Sequence, residues 1–183
     1  MAKKDKKKKV SASVKHTAAE MSRNGASSGA SRAATTHDAD LLIKLYDLRR
    51  DPVMRQARHF MAVEFWPKSY DEFKAIFASF GTEHNAWARQ VLSYWDMAAA
   101  MVLEGALHED LFFKTNGELY FLYAKFRPFL EQLRKEFNPE FLSYVEELAN
   151  HSSAARARVD RLTESIALRF QAQKEKAGAH HGE

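Results

Sequence analysis

The chain has 183 residues, a formal charge of +4 and no cysteine, so disulfides, thiolate metal sites and cysteine nucleophiles are excluded. Its longest apolar run, Met97 to Leu103, falls far short of the roughly 20 residues that a bilayer-crossing helix needs. The charge is uneven: +7 over residues 1–37 (nine Lys/Arg against two Asp/Glu), −5 over 38–150 (13 against 18) and +2 over 151–183 (six against four).

The basic character therefore belongs to the N-terminal arm, which carries Lys3, Lys4, Lys6, Lys7, Lys8 and Lys9 and then a Ser/Ala/Gly-rich stretch. Aromatic residues are absent from it, whereas 21 of the chain's 22 lie between Tyr46 and Tyr144. With so few large apolar groups to offset chain entropy, residues 1–37 are expected to be disordered. Lys15, His16 and Glu20 interrupt any signal-peptide apolar region, Ala2 stands where myristoylation needs glycine, and the C-terminus has no prenylation cysteine, so a cytoplasmic location is expected.

From residue 38 onward, apolar residues recur at intervals of three and four, with no period-2 strand. The first helix is predicted over Asp38–Arg49 with Leu41, Leu42, Leu45 and Leu48 buried. Asp51-Pro52 starts a second helix as N-cap and first-turn proline, ending before Pro67. Ser69-Tyr70-Asp71-Glu72 reads as a capping box, opening a third helix with Phe73, Ile76, Phe77 and Phe80 inward and Gly81 as its stop.

A fourth helix, Glu83 to Glu104, is closed by Gly105. It bears two adjacent apolar rows, Trp87-Val91-Tyr94-Ala98-Met101 and Ala88-Leu92-Trp95-Ala99-Val102, which makes it the central helix, with Asn85, Arg89, Ser93 and Asp96 on the remaining side. A short turn at His108–Phe113 precedes a fifth long helix over Glu118–Phe137, with the seam Leu119, Tyr123, Phe126, Leu130, Leu133, Phe137. Pro128 inside it predicts a kink or break. Asn138-Pro139 repeats the cap-plus-proline start, and Ser152 or Ser153 opens a C-terminal amphipathic helix over 151–176, followed by a frayed tail at 177–183.

The prediction is thus one all-α domain over 38–150, a single bundle of six or seven helices with a disordered basic arm.

Motifs for chemistry are sparse. Gly25-Ala26-Ser27-Ser28-Gly29 matches the nucleophile-elbow pattern but reads as linker, because no strand-to-helix turn surrounds it. Neither Glu-x-x-His nor His-Glu-x-x-His occurs, so no metal site, cofactor or catalytic set is assigned. The aromatic group Trp87, Tyr94, Trp95, Phe112, Phe113, Tyr120, Phe121 and Tyr123 is read as core before pocket.

Arg49, Arg50, Arg55 and Arg58, with His59, form a basic cluster suited to anion or nucleic-acid contact, set against intramolecular pairing with Asp47, Asp51, Glu64 or the acidic surface, with pairing preferred. The lysine arm suits non-specific contact with nucleic acid or an anionic surface. The narrow stripe of the C-terminal helix, Val159, Leu162, Ile166 and Phe170 after Ala155, suits either self-association or docking on its own bundle, with docking preferred.

Leu45-Tyr46-Asp47-Leu48-Arg49-Arg50-Asp51-Pro52, Arg55-Gln56-Ala57-Arg58, Ser93-Tyr94-Trp95-Asp96, Gly105-Ala106-Leu107 and Arg127-Pro128-Phe129 together give the chain a resemblance, over residues 40–150, to a bacterial all-helical family known only as a domain of unknown function. The resemblance implies a helical domain and supplies no activity, substrate or catalytic residue. The expected function is a non-enzymatic module acting through an unknown protein partner or itself, the alternatives being nucleic-acid or anionic-surface binding by the arm and a small-ligand sensor around Arg58, His59, Tyr94 and Asp96.

Overall fold

Thr35 and Asp38 set the entry to the fold with a reciprocal capping box: the Thr35 hydroxyl accepts from the Asp38 amide while the Asp38 carboxylate accepts from the Thr35 amide at 2.7 Å. The carboxylate is fully buried and also accepts from the His108 amide at 2.8 Å, which fixes the first helix to the chain 70 residues later. The structure is a computed structural model that describes residues 32–179, with side chains through residue 172. Residues 1–31, with the lysine run, and residues 180–183 lie outside the described residues; the disorder predicted through residue 37 is corrected at its end, where Thr35 caps α1 and Thr36 and His37 are already helical.

The helices are α1 Thr36–Leu48, α2 Pro52–His59 continuing into a π-helical turn at Phe60–Glu64, α3 Tyr70–Ala78, α4 Glu83–Leu103, α5 Glu109–Thr115, α6 Gly117–Glu136, α7 Ser143–His151 and α8 Ser153–Ala179. The described residues contain no strand, and residue 34 onward forms one compact unit. Eight α-helices replace the predicted six or seven, since the short turn at 108 and the C-terminal segment are both full elements. As the two apolar rows imply, α4 is central: Ala88, Val91, Leu92, Tyr94, Trp95, Ala98, Ala99 and Val102 are all buried. Against it pack α2, α3 and α7, while α6 packs against α3, α7 and α8.

Several boundaries differ from the sequence pattern for identifiable reasons. Ser69 caps the Glu72 amide, but the Glu72 carboxylate reaches back to the Lys68 amide, so only half of the predicted box forms. Helix α3 ends at Ala78, leaving Phe80 in solvent at 79% exposure, and Gly81 takes φ +86° in the turn beyond it. Leu48 and Phe137 also face water, at 56% and 50%: each continues a helical period at the end of its helix, beyond the core that covers the rest of its stripe.

Asn85, predicted to be polar surface, is buried and donates its amide to the carbonyls of Ile76 and Phe77, satisfying the C-terminus of α3. Helix α6 runs through Pro128 without a break, although the proline has no N–H to offer the Ala124 carbonyl. Asn138-Pro139 forms a turn rather than a helix start, with the Asn138 side chain accepting from Glu140; α7 begins five residues later, behind buried Leu142 in the left-handed region at φ 54°. The Arg134 guanidinium holds that turn by donating to the Phe141 and Leu142 carbonyls.

Candidate functional site

Two charge sites lie along α6, one half-buried and one buried, and their chemistry differs. The first is built on Glu118 in the first turn of the helix. Its carboxylate accepts from Arg58 through both Nε and Nη2, and from Arg49 Nη2 at 3.1 Å. Arg49 also donates to Asn116 and lies 4.9 Å above the Trp95 ring, whose own N–H points at Glu118 from 3.4 Å.

The basic cluster of the sequence is thereby divided. Arg49 and Arg58 are committed to Glu118, 60 to 69 residues away, so they pair within the acidic domain as expected but not with Asp47, Asp51 or Glu64, while Arg50 and Arg55 face solvent. Asp51 instead caps α2 by accepting from the Val53 and Met54 amides, and Glu64 pairs with His59 on the surface. The four residues considered for a sensor site do not converge. Tyr94 donates to the Leu45 carbonyl, with its phenol pushed up to about 12 by burial, and Asp96 accepts from the Val145 amide.

The second site lies two helical turns further on, at Lys125. Only 5% of this residue is exposed. Its neighbours at i−4, i−3, i+1 and i+4 are Phe121, Leu122, Phe126 and Phe129, so the helix itself places the amine on an apolar face.

The π-turn after α2 supplies its one hydrogen bond. There the Phe65 amide bonds to the Phe60 carbonyl, five residues back, which releases the Met61 carbonyl from the partner an α-helix would give it. Lys125 Nζ donates to that carbonyl at 2.8 Å. It also stands 3.8 Å from the centroid of Trp66, a ring that Arg169 of α8 approaches to 4.1 Å.

Among the described residues no carboxylate pairs with Lys125. Burial, with Arg169 nearby adding like-charge repulsion, pushes the amine down to about 7.

Beside Lys125, a partly enclosed cavity of about 510 Å³ opens between α6, α8 and the segment before α3. Ala124, Pro128 and Phe129 form one wall, Ile166, Ala167 and Phe170 the other, with Lys68 at the edge. Its size lies in the range of about 300–1,000 Å³ typical of small-molecule pockets.

The C-terminal stripe builds this wall by docking within the chain. Ala155 and Val159 are buried, Leu162 and Ile166 pack on the core, and Phe170 meets Trp66 edge to face at 5.7 Å. Arg158 anchors the near end of α8 by stacking 3.6 Å from the Phe113 ring centroid.

Among the described residues, no group of three or more His, Asp or Glu side chains is placed to hold a metal ion. Nor is any described helix long and apolar enough to cross a membrane.

Sequence reasoning missed Lys125, Glu118 and Met61. The signal for Lys125 was its four apolar helical neighbours; for Met61 there was none, since the π-turn has no local signature.

The class defined by these features is an all-helical domain with two charge sites on one helix, a half-buried carboxylate paired with two guanidinium groups and a buried amine with no carboxylate partner among the described residues. A family model described as Domain of unknown function (DUF4760) matches residues 34–152, well over half of the chain, and the chain belongs to that family. The match spans α1 to α7, hence Met61, Trp66, Glu118 and Lys125, whereas the opposite wall of the pocket lies beyond it. No curated protein and no solved structure matches the chain.

Proposed function

We propose that this chain is a helical binding module, without catalytic chemistry of its own, that takes a small apolar molecule into the α6–α8 pocket. The observation that carries this reading is the pocket itself: a cavity of about 510 Å³ lined mainly by Ala, Pro, Phe and Ile side chains, with a few polar groups at its edge. It favours a small ligand over self-association through Val159, Leu162, Ile166 and Phe170, because a second chain seated on those residues has to displace contacts they already make within this one. Contact of the lysine arm with nucleic acid remains a separate proposal, tested by deleting residues 2–9 and measuring DNA and RNA binding at low salt.

The test is by methyl NMR of the full chain with octan-1-ol as a neutral apolar probe. Saturable shifts of the Ile166 and Ala167 methyl signals are expected, and Ala167→Phe, which fills the pocket, should abolish them. Shifts that never saturate, or that survive Ala167→Phe, would overturn the reading.

A further inference from the structure

We infer that the natural occupant of this pocket is a single-chain carboxylate whose head group pairs with Lys125; the inference rests on the binding function proposed above. The charge pattern is the first argument. Residues 38–150 carry a net −5, yet the residues lining this cavity include two lysines, Lys68 and Lys125, and not one Asp or Glu. Arg169 adds a third cation over the neighbouring indole.

The donor geometry is the second argument. An ammonium has three N–H donors, and Lys125 uses one, on the Met61 carbonyl, the other close partners being the rings of Trp66, Phe121 and Phe126. A buried cation with unused donors and no counter-ion is costly, and a carboxylate supplies both the missing charge and two acceptor oxygens. Most of the remaining lining, Ala124, Pro128, Phe129, Ile166 and Phe170, suits a hydrocarbon tail, and the Thr163 hydroxyl among them already donates to the Val159 carbonyl.

Protons must balance. In the empty pocket the Lys125 amine is largely neutral above about pH 7 because burial disfavours its charge. A bound carboxylate reverses that preference, so binding above pH 7 draws a proton from solvent onto Nζ. Arg169 is the charged group that acts on this amine, and Lys68 lines the same cavity; both are cations, so neither can serve as the counter-ion in place of the ligand.

Calorimetry of the full chain with octanoate and with octan-1-ol tests the inference. At about pH 6.5 octanoate should bind at least roughly tenfold more tightly than the alcohol, and this preference should fade by about pH 9 as the free amine loses its proton. At about pH 8, titrations in buffers of different ionisation enthalpy should reveal uptake of part of one proton per octanoate, and none for the alcohol. Lys125→Met should lose the octanoate preference.

Equal affinities at low pH, no proton uptake, or a preference that persists in Lys125→Met would overturn the head-group assignment while leaving the pocket reading intact. Failure of both probes to bind would overturn both. Proton uptake is read on the natural chain, so the inference stays testable even where the substituted chain fails to fold.

Discussion

Glu118 and Lys125 sit seven residues apart on one helix, both largely withdrawn from water, and their surroundings are opposite. Glu118 collects two guanidinium groups from α1's end and from α2. Lys125 faces aromatic rings, one carbonyl and an apolar cavity. The difference teaches how to tell a structural buried charge from one held for a ligand. A charge neutralised inside the chain ties elements together, whereas a charge left without a partner imposes a standing cost that a bound anion can remove.

The largest effect expected from breaking this contrast is at Glu118. Glu118→Ala strands Arg49 and Arg58 and should destabilise the fold by about 3–5 kcal/mol, measured by urea unfolding. A loss below about 1 kcal/mol would make the cluster an incidental surface contact.

Next comes Lys125, where the sign depends on pH. Its folded value near 7 lies below the ordinary lysine range, so between about pH 7 and 10.5 the unfolded chain binds the proton that the folded chain has released. Relative to Lys125→Met, the natural chain should therefore gain about 1–3 kcal/mol of stability as pH rises through that window, and change little below it. A difference that stays flat from pH 7 to 10.5 would show the amine to be solvated.

A smaller loss, about 1–2 kcal/mol, is expected for Asn85→Ala, which uncovers the Ile76 and Phe77 carbonyls at the end of α3. Smallest of all is Lys74→Ala. It removes an exposed pair with Glu136 and should leave the melting temperature unchanged within error, a surface counterpart to both buried sites.

How much of this was legible in the sequence follows from the range of the interactions involved. The double apolar row of α4, the Asp51-Pro52 start and the Gly105 turn are set by residues within a helical turn of one another, and they appear where the pattern puts them. Periodicity alone overran the ends of the core, placing Leu48, Phe80 and Phe137 inside because it registers which face a residue occupies and not whether anything covers it. The charge cluster was visible as arginines but not as a pair with Glu118, which lies 60 to 69 residues further along the chain and meets them only in the folded bundle.

Lys125 was hidden for a different reason. A lysine on an apolar helix face ordinarily reaches out to water along its flexible stem. Here the π-turn turns a main-chain carbonyl toward the amine, while Trp66 and α8 cover the route out. Neither the π-turn nor the path of α8 across α6 can be read from the residues around position 125.

The central claim is that Lys125 is a buried amine without an internal counter-ion. The side-chain titration of Lys125, followed by NMR at its ε-methylene carbon in the full chain, tests it most directly. The account predicts a midpoint near pH 7 in the free protein, moving upward on addition of octanoate. A midpoint above about pH 10 in the free protein would contradict it, because that is the behaviour of a lysine in water.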